Sequence, residues 1–184
     1  FSFEKLYGQD VSLGPEMKST GEVLGVAKTY DEALIKAFYG AGVHKIEKGN
    51  VIITVKDSDK EEMLPIAEGL YDLGWTIYST AGTSEFLNDH DIPTIRLHKI
   101  GAGKPDILDQ ILSGRINLVI NTPSKSVAHH RDGYKIRRNA VEAGIPCLTS
   151  LDTANAFLRC ARHVETTQLS VVDITKVSSF LNFI

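Results

Sequence analysis

The chain has 184 residues, enough for one ordinary domain with a real core and somewhat more than one needs. Hydrophobic residues make up 42% and charged residues 23%, and no apolar run approaches the roughly 18 residues of a membrane span, so membrane-embedded and disordered classes are excluded. A net charge of -3, from 20 basic and 23 acidic residues, supplies no global field for nucleic acid, so any anion site has to be local; two cysteines exclude a disulfide scaffold and fit a reducing cytoplasm.

The chain opens at Phe1, inside a strand-like stretch (Phe1-Ser2-Phe3), which leads us to expect a piece of something larger. Leu13 to Val23 is polar and turn-rich, with no period. Thr29 and Glu32 have the spacing of a capping box opening a helix through Phe38, and Gly40, Gly42, Lys45, Lys48 and Gly49 read as a linker. This part holds too few apolar residues for a core of its own. It reads as the tail of a preceding domain over residues 1–45, with a second domain over 46–184.

From residue 50 to 164, short β-rich runs alternate with helical patterns, the arrangement of a three-layer α/β fold with a five-stranded parallel sheet. The expected strands are 51–55, 76–79, 94–97, 118–121 and 146–149. Met63, Ile66, Ala67, Leu70 and Leu73 recur at helical spacing before a stop at Gly74. Further helices are expected at about 83–90, 105–113, 133–143 and 150–164, with Gly114 and Gly144 as stops. Short connections imply right-handed crossovers.

In an open parallel sheet, ligands collect beyond the carboxyl ends of the strands. Four of those ends carry anion-binding chemistry. After the first comes Asp57-Ser58-Asp59-Lys60, with an ammonium at a helix start, where it opposes the helix dipole unless an anion joins it. After the second, Ser79-Thr80-Ala81-Gly82-Thr83-Ser84 offers free N–H groups and the hydroxyls of Thr80 and Thr83 to a phosphate. His98-Lys99 follows the third. Asn121-Thr122-Pro123-Ser124-Lys125 follows the fourth, leading into a segment with Arg131, Lys135, Arg137 and Arg138 against Asp132. Taken singly, each has a plainer reading: the threonine turn as an ordinary N-cap, each lysine as solvated, and the basic run 125–138 as a solvated face. Convergence on one sheet edge favours a phosphate-type site.

Other chemistry finds less support. His129 and His130 adjoin, and no Cys or His pair has zinc spacing. No Gly-x-Ser-x-Gly elbow or Walker loop occurs. Cys147 and Cys160 read as small hydrophobes, and Asp106 and Asp109 as possible bases or, more simply, first-turn acids of a helix.

The run Gly14-Pro15-Glu16-Met17-Lys18-Ser19-Thr20-Gly21-Glu22-Val23, with Phe1 to Leu6 and Gly8-Gln9-Asp10 ahead of it, resembles the end of the second ATP-grasp half of the carbamoyl-phosphate synthase large chain. Asp59-Lys60, Ser79-Thr80-Ala81-Gly82-Thr83, Lys99, Ile120-Asn121-Thr122-Pro123 and Ile136-Arg137-Arg138 resemble its carboxy-terminal allosteric domain, which has the methylglyoxal-synthase-like fold. The resemblance implies membership of an ATP- and magnesium-dependent ligase that makes carbamoyl phosphate from bicarbonate, glutamine-derived ammonia and two ATP for pyrimidine or arginine synthesis. Its catalytic cores would lie upstream, so no catalytic residue, metal or cofactor is expected here.

By motif match, the phosphate of UMP or IMP would sit against Lys60, Thr80, Thr83 and Lys99, with Asn121 and Thr122 nearby. The other implied partners are phosphoribosyl pyrophosphate, the rest of the large chain, the glutaminase small subunit and further copies in a homo-oligomer. Nucleic acid and membrane are not among them. Enterobacterial members bind ornithine partly through a Tyr-Asp pair; here Cys147-Leu148 stand in its place and offer no carboxylate. The resemblance therefore points to UMP inhibition rather than ornithine activation.

The alternatives are enzymes of the same fold. A methylglyoxal synthase would use Asp106 for proton transfer, but that family's Arg-Asp-Pro is replaced by Asn121-Thr122-Pro123. An IMP cyclohydrolase would carry a Lys-Thr-Leu-His-Pro segment that does not occur. A third reading is a contact domain with a vestigial anion site.

Overall fold

Five short β-rich runs become five parallel strands in a computed structural model that describes residues 23–123, 127–165 and 167–177. The strands are β1 (Asn50–Thr54), β2 (Thr76–Thr80), β3 (Thr94–Leu97), β4 (Leu118–Asn121) and β5 (Cys147–Leu148). Their order is β3-β2-β1-β4-β5. The chain thus builds outward from β1 to β3, then crosses back to lay β4 on the other side of β1, with Thr54 paired to Asn121. That reversal makes a crevice at the carboxyl ends of β1 and β4.

The helices are α1 (Tyr30–Gly40), α2 (Lys60–Asp72), α3 (Ala81–Asn88), α4 (Ile107–Leu112), α5 (Val127–Glu142) and α6 (Leu151–His163). Strand side chains alternate, and both faces are buried at the central strands β1 and β4. Val51, Ile53, Ile77, Leu118 and Ile120 pack with Ile35 of α1, Met63, Ile66 and Leu70 of α2, Leu87 of α3 and Phe157 of α6. On the opposite face, Ile52 and Val119 pack with Ile107 and Ile111 of α4 and Ile136 and Ala140 of α5. Apolar runs buried on both sides are what a parallel sheet between helical layers demands.

Two glycine stops are visible in the geometry. Gly74 and Gly144 take φ of 80° and 68°, letting Trp75 N–H reach the Leu70 carbonyl at 3.0 Å and Ile145 N–H reach that of Ala140 at 2.8 Å. These bonds close the last turns of α2 and α5 as a left-handed cap does.

Helix α2 begins at Lys60, where a helix start is expected. Several other expectations need correction. Helix α5 begins at Val127 rather than 133. Strand β5 has only two residues. The glycine- and lysine-containing stretch after α1 is not a free linker, because Val43 and Ile46 are buried in the core. The Thr29 hydroxyl does accept from Glu32 N–H at 3.3 Å. The Glu32 carboxylate, however, turns to Ser170 instead of back to Thr29. The strand at Phe1-Ser2-Phe3 and the Gly14-to-Glu22 run lie outside the described residues, as do Ser124 and Lys125 and the side chains of His129, His130 and Arg131. Among the described residues, no helix is long and apolar enough to cross a membrane.

Candidate functional site

The crevice at the strand reversal holds a cleft of about 380 Å³. Every one of Lys60, Thr80, Thr83, Lys99, Asn121 and Thr122 lines it. They come from four strand ends, so the sheet assembles what the sequence separates by up to 62 positions.

Each is placed by a local cause. Strand β2 runs straight into α3, and Thr80 is the N-cap of that helix without making a side-chain cap bond. The first N–H groups of α3 and the Thr80 hydroxyl are thus left for a ligand at the positive end of the helix dipole. Thr83, in the first turn, is buried to 4% exposure. Gly82 brings backbone close to the cleft, where an added Cβ would lie 3.7 Å from Lys60 Nζ.

Lys60 opens α2, with its Nζ 2.8 Å from Asp57 Oδ1 and 5.8 Å from the centre of the Phe86 ring. The opposition to the helix dipole is therefore met here by the exposed Asp57 carboxylate. Lys56 pairs with Asp59 at 3.3 Å. Lys99 is exposed and lines the cleft, and among the described residues it makes no ion pair.

The opposite wall is tightly bonded. Thr122 Oγ1 accepts from Lys56 N–H at 3.2 Å, tying the end of β4 to the turn after β1. Asn121 Nδ2 donates to Thr54 Oγ1 at 2.7 Å and to the Thr54 carbonyl at 3.3 Å. The Asn121 carbonyl accepts from Arg137 Nη1 at 2.6 Å. The basic run is thus not simply a solvated face: Arg137 is 1% exposed and Arg138 6%, the latter bonded to Glu142 at 2.6 Å.

Thr54, Lys56, Asp132 and Gly133 also line the cleft, and reading the sequence did not single them out as a site. Two had a weak signal: Thr54 is next to last in the expected strand 51–55, and Gly133 opens the expected helix 133–143. Lys56 and Asp132 had none.

Asp109 is a first-turn acid of α4, as expected, whereas Asp106 is its N-cap. Asp106 caps α4, its Oδ1 accepting from Leu108 and Asp109 N–H at 2.9 and 3.0 Å, while Asp109 Oδ2 accepts from Asp106 N–H at 3.0 Å. That backbone bond, with Lys104 beside it, holds the Asp109 carboxyl below the usual carboxylate range. Cys160 is fully buried, which pushes its thiol up to about 11. It is a core residue, as expected. Among the described residues, no group of three or more His, Cys, Asp or Glu is placed to hold a metal.

A family model described as the MGS-like domain matches residues 62–149. The chain is 47% identical over 177 residues, 96% of its length, to the carbamoyl phosphate synthase large chain of Lachnoclostridium phytofermentans. It is 47% identical over 180 residues to that of Agathobacter rectalis. The chain belongs to the carbamoyl phosphate synthase large chain family and carries its MGS-like domain. It spans 17% of the length of these curated relatives. Among solved structures, the MGS-like domain is similar to a methylglyoxal synthase from Elizabethkingia anophelis, with TM-score 0.47 and 15% identity over 71% of this chain and 90% of that one. It is also similar to ForH, with TM-score 0.46 and 21% identity over 73% of this chain and 87% of that one.

Proposed function

We propose that this chain is the allosteric, effector-binding region of a carbamoyl phosphate synthase large chain, and that its cleft takes the phosphate of a regulatory nucleotide such as UMP or IMP. The observation that carries the reading is convergence: the start of α3, where Thr80 makes no side-chain cap bond, opens with Thr83 onto the same cleft as Lys60 and Lys99, the latter in no ion pair among the described residues. Backbone N–H groups, hydroxyls and ammonium groups meeting at one point suit a dianion. Asn121 and Thr122 form the wall across from them. Phosphoribosyl pyrophosphate has the same phosphate chemistry and would compete. Cys147 and Leu148 give no carboxylate for ornithine, which we expect not to bind there.

The remaining parts of the proposal concern the parent enzyme: an ATP- and magnesium-dependent ligase forming carbamoyl phosphate, acting with a glutaminase small subunit in a cytoplasmic oligomer. Residues 1–45 would belong to its preceding synthetase region. Since α1 packs against α6 through the core residue Ile35, effector binding would reach the rest of the large chain through this segment.

Calorimetric titration of the chain with UMP, IMP, phosphoribosyl pyrophosphate and ornithine tests the reading. Lys99→Ala and Thr83→Ala should each weaken UMP binding by about 10- to 100-fold, the loss expected for a hydrogen bond to a charged group at roughly 1.5–3 kcal/mol. Absence of nucleotide binding, or unchanged affinity in both variants, would refute it. The lyase alternative is disfavoured because Asp106 is engaged on both oxygens, Oδ2 accepting from Gly101 N–H at 3.2 Å, and does not line the cleft. We expect no methylglyoxal from dihydroxyacetone phosphate.

A further inference from the structure

The cleft reading leaves Arg137 without a task, although this arginine is among the most deeply buried side chains of the molecule. A guanidinium has only donors, and a carboxamide has one carbonyl and two N–H hydrogens. With Arg137 Nη1 2.6 Å away, the Asn121 carbonyl has to face the arginine, and both amide hydrogens go to Thr54. The reverse orientation would set an NH₂ against a guanidinium and leave two buried acceptors facing each other at Thr54. Arg137 therefore dictates the amide sense. A Thr54 hydroxyl that accepts from Asn121 keeps its own hydrogen to donate, and Thr54 lines the cleft.

A second observation concerns the same place. Gly133 lies one turn ahead of Arg137 on α5, and a Cβ there would come within 2.9 Å of Arg137 Nη1 and 3.4 Å of Asn121 Oδ1. The glycine leaves the room in which the guanidinium reaches Asn121 from beneath the cleft floor.

We propose that Arg137 is a positioning residue for the cleft: through Asn121 it leaves the Thr54 hydroxyl on the β1–β4 wall free to donate a hydrogen bond, and so favours an anionic ligand without touching it. Bonds in such a chain polarise one another, so a buried cation at its far end strengthens the last donor. This inference rests on the phosphate reading of the cleft given above.

The test is calorimetric titration of the 184-residue chain with UMP, and with inorganic phosphate, alongside thermal unfolding. Arg137→Met should weaken UMP binding about tenfold, and Arg137→Lys, a smaller donor of the same charge, by less. In an Asn121→Ala background, Arg137→Met should add less than twofold, because its route to the ligand is gone. Gly133→Ala keeps the arginine but crowds it, and should also weaken binding; it carries the test if Arg137→Met does not fold. Wild-type protein binding neither probe would overturn the cleft reading and the proposal together. Binding by wild type with all three Arg137 and Gly133 variants within twofold would overturn the positioning role alone. An equal loss from Arg137→Met with and without Asn121 would also overturn it, showing an effect that does not pass through the amide.

Discussion

Replacing Glu32 by Gln tests how α1 is held to the rest of the fold. The Glu32 side chain is 9% exposed and accepts from Ser170 N–H and Ser170 Oγ at 2.6 Å each, with Lys36 Nζ 2.9 Å away. Lys36 also donates to the Val26 carbonyl at 2.7 Å. One carboxylate thus joins the segment ahead of α1, the helix itself and the stretch after α6. The Ser170 hydroxyl, then its N–H, then Lys36 lower the carboxyl from its ordinary value of 4.5 to about 2. A depression of that size is worth about 3 kcal/mol at neutral pH.

Glutamine keeps neutral hydrogen bonds of about half the strength, so the expected loss is about 2 kcal/mol, or about 4–8 °C in Tm for a domain of this size. Because the folded pKa is lowered, the stabilisation is complete above the unfolded value near 4.5 and is lost as pH falls toward 2. Urea unfolding of both proteins from pH 7 to pH 3 should show a constant gap down to about pH 5.5 that narrows below 4.5. Ser170→Ala should couple to Glu32→Gln by about 1 kcal/mol in a double-mutant cycle. A gap under about 0.5 kcal/mol at pH 7, or one as wide at pH 3 as at pH 7, would refute the reasoning.

Phe157 is fully buried and meets the Trp75 and Phe38 rings edge-on at 5.6 and 5.8 Å, so Phe157→Ala should cost about 3–5 kcal/mol by urea unfolding. A Cβ on Gly69 would come within 2.7 Å of Leu158 Cδ2, so Gly69→Ala should lose about 1 kcal/mol, overpacking between α2 and α6 outweighing the gain in helix propensity. Loss of the α4 cap in Asp106→Ala should cost about 1 kcal/mol in the same assay. With its thiol pushed up to about 11 and no exposure, Cys160 should resist iodoacetamide at pH 8 until the protein unfolds, while the half-buried Cys147 reacts first; equal rates in the native protein would contradict the burial.

The sheet was legible because its central strands are buried on both faces and appear as unbroken apolar runs such as Val51-Ile52-Ile53, while the outer β2 and β3 are β-rich runs with mixed burial, each closed by a turn and a helical period. Boundaries drifted where helix starts carry polar residues. The expected start of α5 is too late because Val127 to Asp132 show no apolar period in the sequence. The packing of Val43 and Ile46 could not be read locally, since glycines and lysines around them carry the signature of a linker and only the distant core explains their burial. Glu32 shows the same limit: its spacing from Thr29 marks a capping box, and its actual partner, Ser170, lies 138 residues away.

The site divides in the same manner. Residues that act by position alone, Thr80 and Thr83 at a helix start or Lys60 and Lys99 just past strand ends, are visible once the strands are assigned, because sheet topology fixes where carboxyl ends lie. Residues that act through a partner are not. Arg137 sits in a basic run whose ordinary reading is solvated surface, and only the contact with Asn121 across α5 and β4 separates it from its neighbour Arg138, which bonds to Glu142 one turn along the same helix. Adjacent positions on a helix are turned about 100° apart, so two consecutive arginines cannot serve the same partner. Gly133, four positions ahead on the face of Arg137, is the one local sign of which arginine reaches Asn121. A glycine at i−4 from a buried cation within a helix is therefore worth reading as space reserved for that cation.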